Sequence, residues 1–346
     1  MRLNLDGHVV MPGLINAHDH LEFNLFPQLG AGPYANATEW ARDIYKPEQS
    51  PVREQLRVPM RVRLWWGALK NLLSGVTTVC HHNPYNATVF DNKFPVRVLR
   101  RFAWAHSLAF APDLQARFRK APKTYPFAVH CGEGADAAAR REVRTLDSLG
   151  ALDARTVLVH GVGVTRGALN LLRMRSASLV WCPTSNLTML GRTLSREVLR
   201  SGLPIALATD SALSAPVDLL DELRVARRFL PASRLYDMVS TNPAQMLRLS
   251  RAATKGDWVA IRSAKSTPGE ALLDGEVSLV TVAGRIRLIA PELARQLPRE
   301  VSRGLQPLHL EGRAPVLVDA NIRALRRTAE KHLGRDFRLA GKRVLP

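Results

Sequence analysis

The chain has 346 residues, of which 46% are hydrophobic and 23% charged, so it has the composition of a folded globular protein and not of a disordered one. No run approaches the roughly 18 uninterrupted apolar residues of a membrane span, and the start, MRLNLDGHVV, lacks the form of a secretory leader. The formal net charge is +19, but arginines are scattered along the chain, aromatics are only 6%, and no nucleic-acid motif is present. The surplus therefore reads as composition or an anionic substrate, and no nucleic-acid partner is expected.

In chain order, short apolar runs end in polar or metal-capable residues. They are PGLINAHDH (12–20), SGVTTVCHHN (74–83), FAVHCGEG (127–134), TVLVHGVG (156–163), SLVWCPTSN (178–186) and PIALATDSA (204–212). Continuous runs of this kind are the mark of parallel strands buried on both faces. Two further strands are expected near PVRVLRR (95–101) and FAWAHSLAF (102–110), both short and polar for the role. Helical spacing recurs between the runs, at 61–75, 135–150, 166–176, 195–202 and 216–230. Strand and helix in alternation specify a parallel sheet with crossover helices. A doubly wound sheet would carry a glycine-rich phosphate turn after its first strand, and none is present. A distorted (β/α)8 barrel over residues 10–250, with its chemistry at the C-terminal strand ends, is the expectation.

Beyond residue 250 the pattern alternates like short antiparallel strands. Residues 1–9 and 251–291 are read as an incomplete small β-sandwich. Residues 292–346 are read as a basic C-terminal extension. Its helix, 319–334, should turn Ile322, Leu325, Ala329 and Leu333 inward. The three cysteines, Cys80, Cys131 and Cys182, form no CxxC pair, which fits a reducing, cytoplasmic compartment and no zinc ribbon.

His18 and His20 are i and i+2 at a strand end, so both imidazoles point into the barrel mouth. His130, His160 and Asp210 end three other runs. A mixed His/Asp shell with room for water suits an open, catalytic zinc-type site. Glu133, three residues past His130, stands where it can shuttle a proton. His81 or His82 after strand two, and Asn186 after strand seven, are candidate substrate contacts.

Taken together, VVMPGLINAHDH, SGVTTV, HCGEG, VLVHGVG, WCPTSN, IALATDSA and STNPAQMLRL resemble the amidohydrolase superfamily, in its cytosine-deaminase and chlorohydrolase branch, from about residue 9 to 250. The resemblance implies one divalent metal, zinc or iron, on His18, His20, His130 and Asp210. It implies that His160 contacts the attacking water or developing oxyanion, that Asp210 takes a proton, and that Glu133 carries protons to the leaving group. Hydrolysis of a C–N bond in a small molecule follows, either deamination of an amino-substituted heterocycle or opening of a cyclic amide. A homo-oligomer is compatible with this reading. The rival reading is a non-catalytic scaffold that keeps the fold, because the strands that usually precede the first motif are reduced to MRLNLDGHVV.

Overall fold

The computed structural model describes residues 2–346. Its strands are β1 (His8–Pro12), β2 (Leu14–Asp19), β3 (Val76–His81), β4 (Arg97–Val98), β5 (Ala103–Ser107), β6 (Phe127–Cys131), β7 (Thr156–His160), β8 (Ser178–Trp181), β9 (Ile205–Leu207), β10 (Trp258–Arg262), β11 (Glu276–Val282), β12 (Arg285–Ile289), β13 (Gln306–Leu308) and β14 (Val316–Val318).

Eight of these are parallel, in two sheets ordered β2-β3-β4 and β5-β6-β7-β8-β9. The sheets make the distorted barrel that the alternating pattern predicts. β2 and β9 meet at a single parallel bridge, Asp19 to Asp210, and Asp210 donates its N–H to the carbonyl of His18 at 3.2 Å. The fully buried strands β2, β3, β6 and β7 are the continuous apolar runs of the sequence. The barrel interior is filled by small and branched side chains such as Ile15, Ala17, Val157, Val159, Val180 and Ala206.

The helix Met60–Leu73 lies against the turn that follows β2. Gly67 permits that approach, since a Cβ there would stand 2.1 Å from the carbonyl oxygen of Leu21. The remaining helices expected between strands are present as Ala137–Ser148, Arg166–Met174, Arg196–Leu199 and Leu219–Ala226. The third barrel strand is much shorter than 95–101, only the two residues Arg97–Val98. Among the described residues no helix lies between His81 and Leu114. The sequence there carries no helical stripe, and its turns bury Val89, Phe90, Phe94 and Val96 instead.

β1 joins an antiparallel sheet ordered β1-β10-β11-β12-β14-β13. That sheet runs past residue 291, because Gln306–Leu308 and Val316–Val318 complete its far edge. The C-terminal helix Ile322–Leu333 buries Ile322, Leu325 and Ala329, with Leu333 partly buried beside them, and packs on the helices Val52–Arg57 and Met60–Leu73.

Candidate active site

Six side chains singled out in the sequence meet at the C-terminal ends of the barrel strands. β2 delivers His18, and His20 follows it directly. β6 delivers His130, with Glu133 three residues on; β7 delivers His160; Asp210 follows β9. His160 and Asp210 both adopt left-handed backbone, at φ +77° and +56°, which ordinary residues enter only under local strain. In both cases this conformation coincides with the turn of the chain at the barrel mouth.

The donor atoms of His18, His130, His160 and Asp210 all lie within 4.8 Å of one another. His130 Nε2 is 3.2 Å from His18 Nε2. Asp210 Oδ1 is 3.4 Å from His18 Nε2 and 3.6 Å from His20 Nε2. Ligands about 2.0–2.1 Å from one tetrahedral ion are separated by about 3.3 Å, so these spacings match a single metal centre.

The partners outside the cluster set the chemistry inside it. His130 Nδ1 donates to the carbonyl of His106 at 2.8 Å, which leaves Nε2 with its lone pair. His160 Nδ1 donates to Asn186 Oδ1 at 2.9 Å, and its buried Nε2 has no hydrogen-bond partner. Asp210 Oδ2 accepts from Ser185 at 2.8 Å and Ser214 at 2.9 Å, so Oδ1 alone faces the imidazoles.

Burial, reinforced by neighbouring histidines, holds the His20 and His130 imidazoles well below their ordinary range. Burial likewise brings His160 down to about 4. All three are neutral at physiological pH, the form that binds a metal. Burial pushes the Asp210 carboxyl up, but the hydrogen bond from His18 and the imidazoles of His160, His18 and His20 beside it outweigh that and hold the group well below its usual range. Glu133 is the opposite case. Burial, then Asp210 and Glu142, push its carboxyl well above the usual range. Two carboxylates with pKa values driven apart are the arrangement that separates a base from an acid. Glu133 Oε1 stands 3.2 Å from His160 Nε2.

A cavity of about 850 Å³ opens over this floor. Its walls include Phe23, Trp40, Tyr45 and Phe110, with Glu39, Arg42 and Glu142 among the polar groups. The helix Ala37–Ile44 forms one wall, and the sequence reading passed over it. Its signal was present in Asn36 and Glu39, since the Asn36 side chain caps the helix by accepting from the Glu39 N–H at 3.0 Å.

The candidate substrate contacts stand around the cluster, not in the cavity lining. His81 Nδ1 accepts from the Leu21 N–H at 3.3 Å, and His82 Nε2 bonds the Ala105 carbonyl at 3.1 Å. Asn186 is turned to His160. None of the three lines the cavity, because each is committed to a neighbouring strand end. The three cysteines are free and buried, with Cys80 pushed by burial up to about 12, so none is a ready nucleophile.

The profile of the Amidohydrolase family matches residues 125–254, the segment that carries His130, Glu133, His160 and Asp210. The resemblance to the amidohydrolase family read from the motifs is thus supported over this segment. The chain's relatives include the 5-methylthioadenosine/S-adenosylhomocysteine deaminase of Pyrococcus furiosus, 24% identical over 75% of each chain. That of Thermococcus sibiricus is 24% identical over 73% of each. Among solved structures, an adenosine deaminase from Xanthomonas campestris with bound zinc superposes with a TM-score of 0.69 at 19% identity, covering 94% of this chain and 85% of that one. The zinc complex of the Arthrobacter aurescens atrazine chlorohydrolase gives 0.63 at 16% identity, covering 81% and 83%. These superpositions show the same barrel fold over most of the chain.

Proposed function

We propose that this amidohydrolase is a metal-dependent deaminase that hydrolyses the exocyclic C–N bond of an amino-substituted heterocycle of the adenosine type. The observation that carries the reading is the meeting of His18, His20, His130, His160 and Asp210 with Glu133, whose carboxyl burial pushes well above the usual range, on the floor of an aromatic-walled cavity. The names of the relatives direct the substrate class. The scaffold alternative is not favoured, since all six side chains are present and gathered at one place.

His18, His20, His130 and Asp210 would hold one divalent ion, zinc in the first instance. A bound ion of this kind supplies Lewis-acid polarisation and brings the pKa of water from 15.7 to about 7. Asp210, ionised and aimed by Ser185 and Ser214, accepts a proton at Oδ1. His160 Nε2, held bare by the bond from Nδ1 to Asn186, accepts a hydrogen bond on the reacting side. Glu133 holds a proton at its carboxyl and gives it to the ring nitrogen beside the carbon under attack. The cavity walls stack the heterocycle and exclude water. Overall, amine and water become carbonyl and ammonia.

His160 is closer to the ligand group than the sequence reading placed it, so two variants settle the assignment. We expect His20→Ala to lose metal and His160→Ala to retain it, read as metal per chain by elemental mass spectrometry. The activity test is ammonia release by metal-loaded enzyme from adenosine, 5-methylthioadenosine and S-adenosylhomocysteine. Absence of release from all three, with metal bound, would overturn the adenosine-type reading.

A further inference from the structure

We infer that this protein has a second ligand site, away from the catalytic cavity, that takes a small multiply phosphorylated molecule. The site is a cavity of about 1010 Å³ between the barrel wall at β3 and β4, the segment 247–253 and the β11–β12 hairpin. It shares no lining residue with the catalytic cavity.

The fold explains why a cavity stands there. In a (β/α)8 barrel each strand is followed by a helix that covers the outer wall. Here the chain passes from β3 through β4 to β5 without one. Phe90, Phe94 and Val96 pack into the core at this wall and form part of the cavity's lining, but its rim is basic. Six arginines line it, Arg97, Arg100, Arg101, Arg248, Arg285 and Arg287, against one carboxylate, Asp91.

Two of the six pair with carboxylates, while Arg248 Nη1 donates to the Lys123 carbonyl at 2.9 Å and the Arg100 guanidinium lies 5.9 Å over the Tyr85 ring. Arg97 pairs with Asp257 at 2.9 Å, and Arg287 with Asp319 at 2.6 Å. Among the described residues no carboxylate oxygen lies within 4 Å of the guanidiniums of Arg100, Arg101, Arg248 and Arg285, and all four residues are exposed. Arg287 is only 4% exposed, and its buried Nε has no hydrogen-bond partner. Four guanidiniums without a carboxylate partner in one concavity repel one another and raise the local potential. A phosphate chain relieves that repulsion and meets the planar donor forks two oxygens at a time. The volume is that of a small-molecule pocket, and Tyr85 and Tyr125, both reached by solvent, bring aromatic rings to its lining. A nucleoside polyphosphate is therefore the preferred ligand over inorganic polyphosphate.

The test is calorimetric titration of the metal-loaded protein with inorganic tripolyphosphate and, separately, with ATP, at about 0.15 M salt. One saturable site per chain is expected for each, with ATP the tighter. Equal affinity for both would assign the site to the phosphates alone. The variant Arg100→Ala/Arg248→Ala/Arg285→Ala should weaken binding about a hundredfold or more. A control, Arg57→Ala/Arg295→Ala/Arg303→Ala, removes the same charge from exposed positions outside the cavity and should bind as the parent does. Both variants should keep the parent's metal content and circular dichroism. The proposal fails if neither probe binds saturably, if the two triple variants weaken binding equally, or if only long nucleic acid binds.

Discussion

Lys70 Nζ lies 2.8 Å from Asp19 Oδ2, and both side chains are sealed from solvent at 1% and 0% exposure. The lysine comes from the last turn of the helix Met60–Leu73 and the aspartate sits between His18 and His20. The same ammonium donates to Thr209 Oγ1 at 2.9 Å, one residue before Asp210. Asn71, Asn24 and Asn16 complete the shell around the Asp19 carboxylate. A single buried cation thus ties together the two strand ends that supply His18, His20 and Asp210.

Removing one partner of such a pair strands the other charge in the interior, at a cost of about 3–5 kcal/mol. Lys70→Met should lower the urea midpoint strongly and reduce metal per chain. The double variant Asp19→Asn/Lys70→Met should recover most of the stability. If the double variant is no more stable than the single, the lost charge balance is not the cause.

Asp210→Asn should keep the circular dichroism of the parent while ammonia release falls by on the order of a thousandfold. The amide cannot accept the proton that Oδ1 is placed to take. A near-normal rate would remove the base role from Asp210.

Glu133→Gln should keep its metal and lose turnover by about 10²–10⁴-fold. The side chain lines the cavity and touches His160, not the donor atoms that group as ligands. Loss of metal from this variant would make Glu133 a ligand instead.

Glu222 is fully buried behind the site, accepts from the Thr184 N–H and hydroxyl at 3.0 and 2.8 Å, and is raised by burial to about 8. The folded protein keeps this proton while the unfolded chain releases it near the ordinary carboxyl value. Its stabilising contribution is complete at pH values below that ordinary value and is lost as the pH climbs to about 8, since the unfolded state then binds fewer protons. Glu222→Gln, neutral at every pH, should therefore melt above the parent at pH 9 and alongside it near pH 4. Parallel melting curves for the two proteins across that range would contradict the shift.

The sequence by itself determined the barrel and which polar residues gather at its mouth. Strands β2, β3, β6 and β7 are buried on both faces, so their apolar runs are unbroken and each ends visibly at a polar residue. His18, His20, His130, Glu133, His160 and Asp210 are legible because each stands at that break. Only the tertiary structure decided which way a polar side chain turns once it reaches the barrel mouth. His81, His82 and Asn186 share the same local pattern, yet hydrogen bonds to neighbouring strand ends draw them out of the cavity. The Lys70–Asp19 pair joins residues 51 positions apart, and in sequence Lys70 looks like any charge on an amphipathic helix. Periodicity reports which face of an element is buried. It does not report which partner, from a distant element, satisfies the polar groups on that face, because that depends on how the strands and helices meet in space.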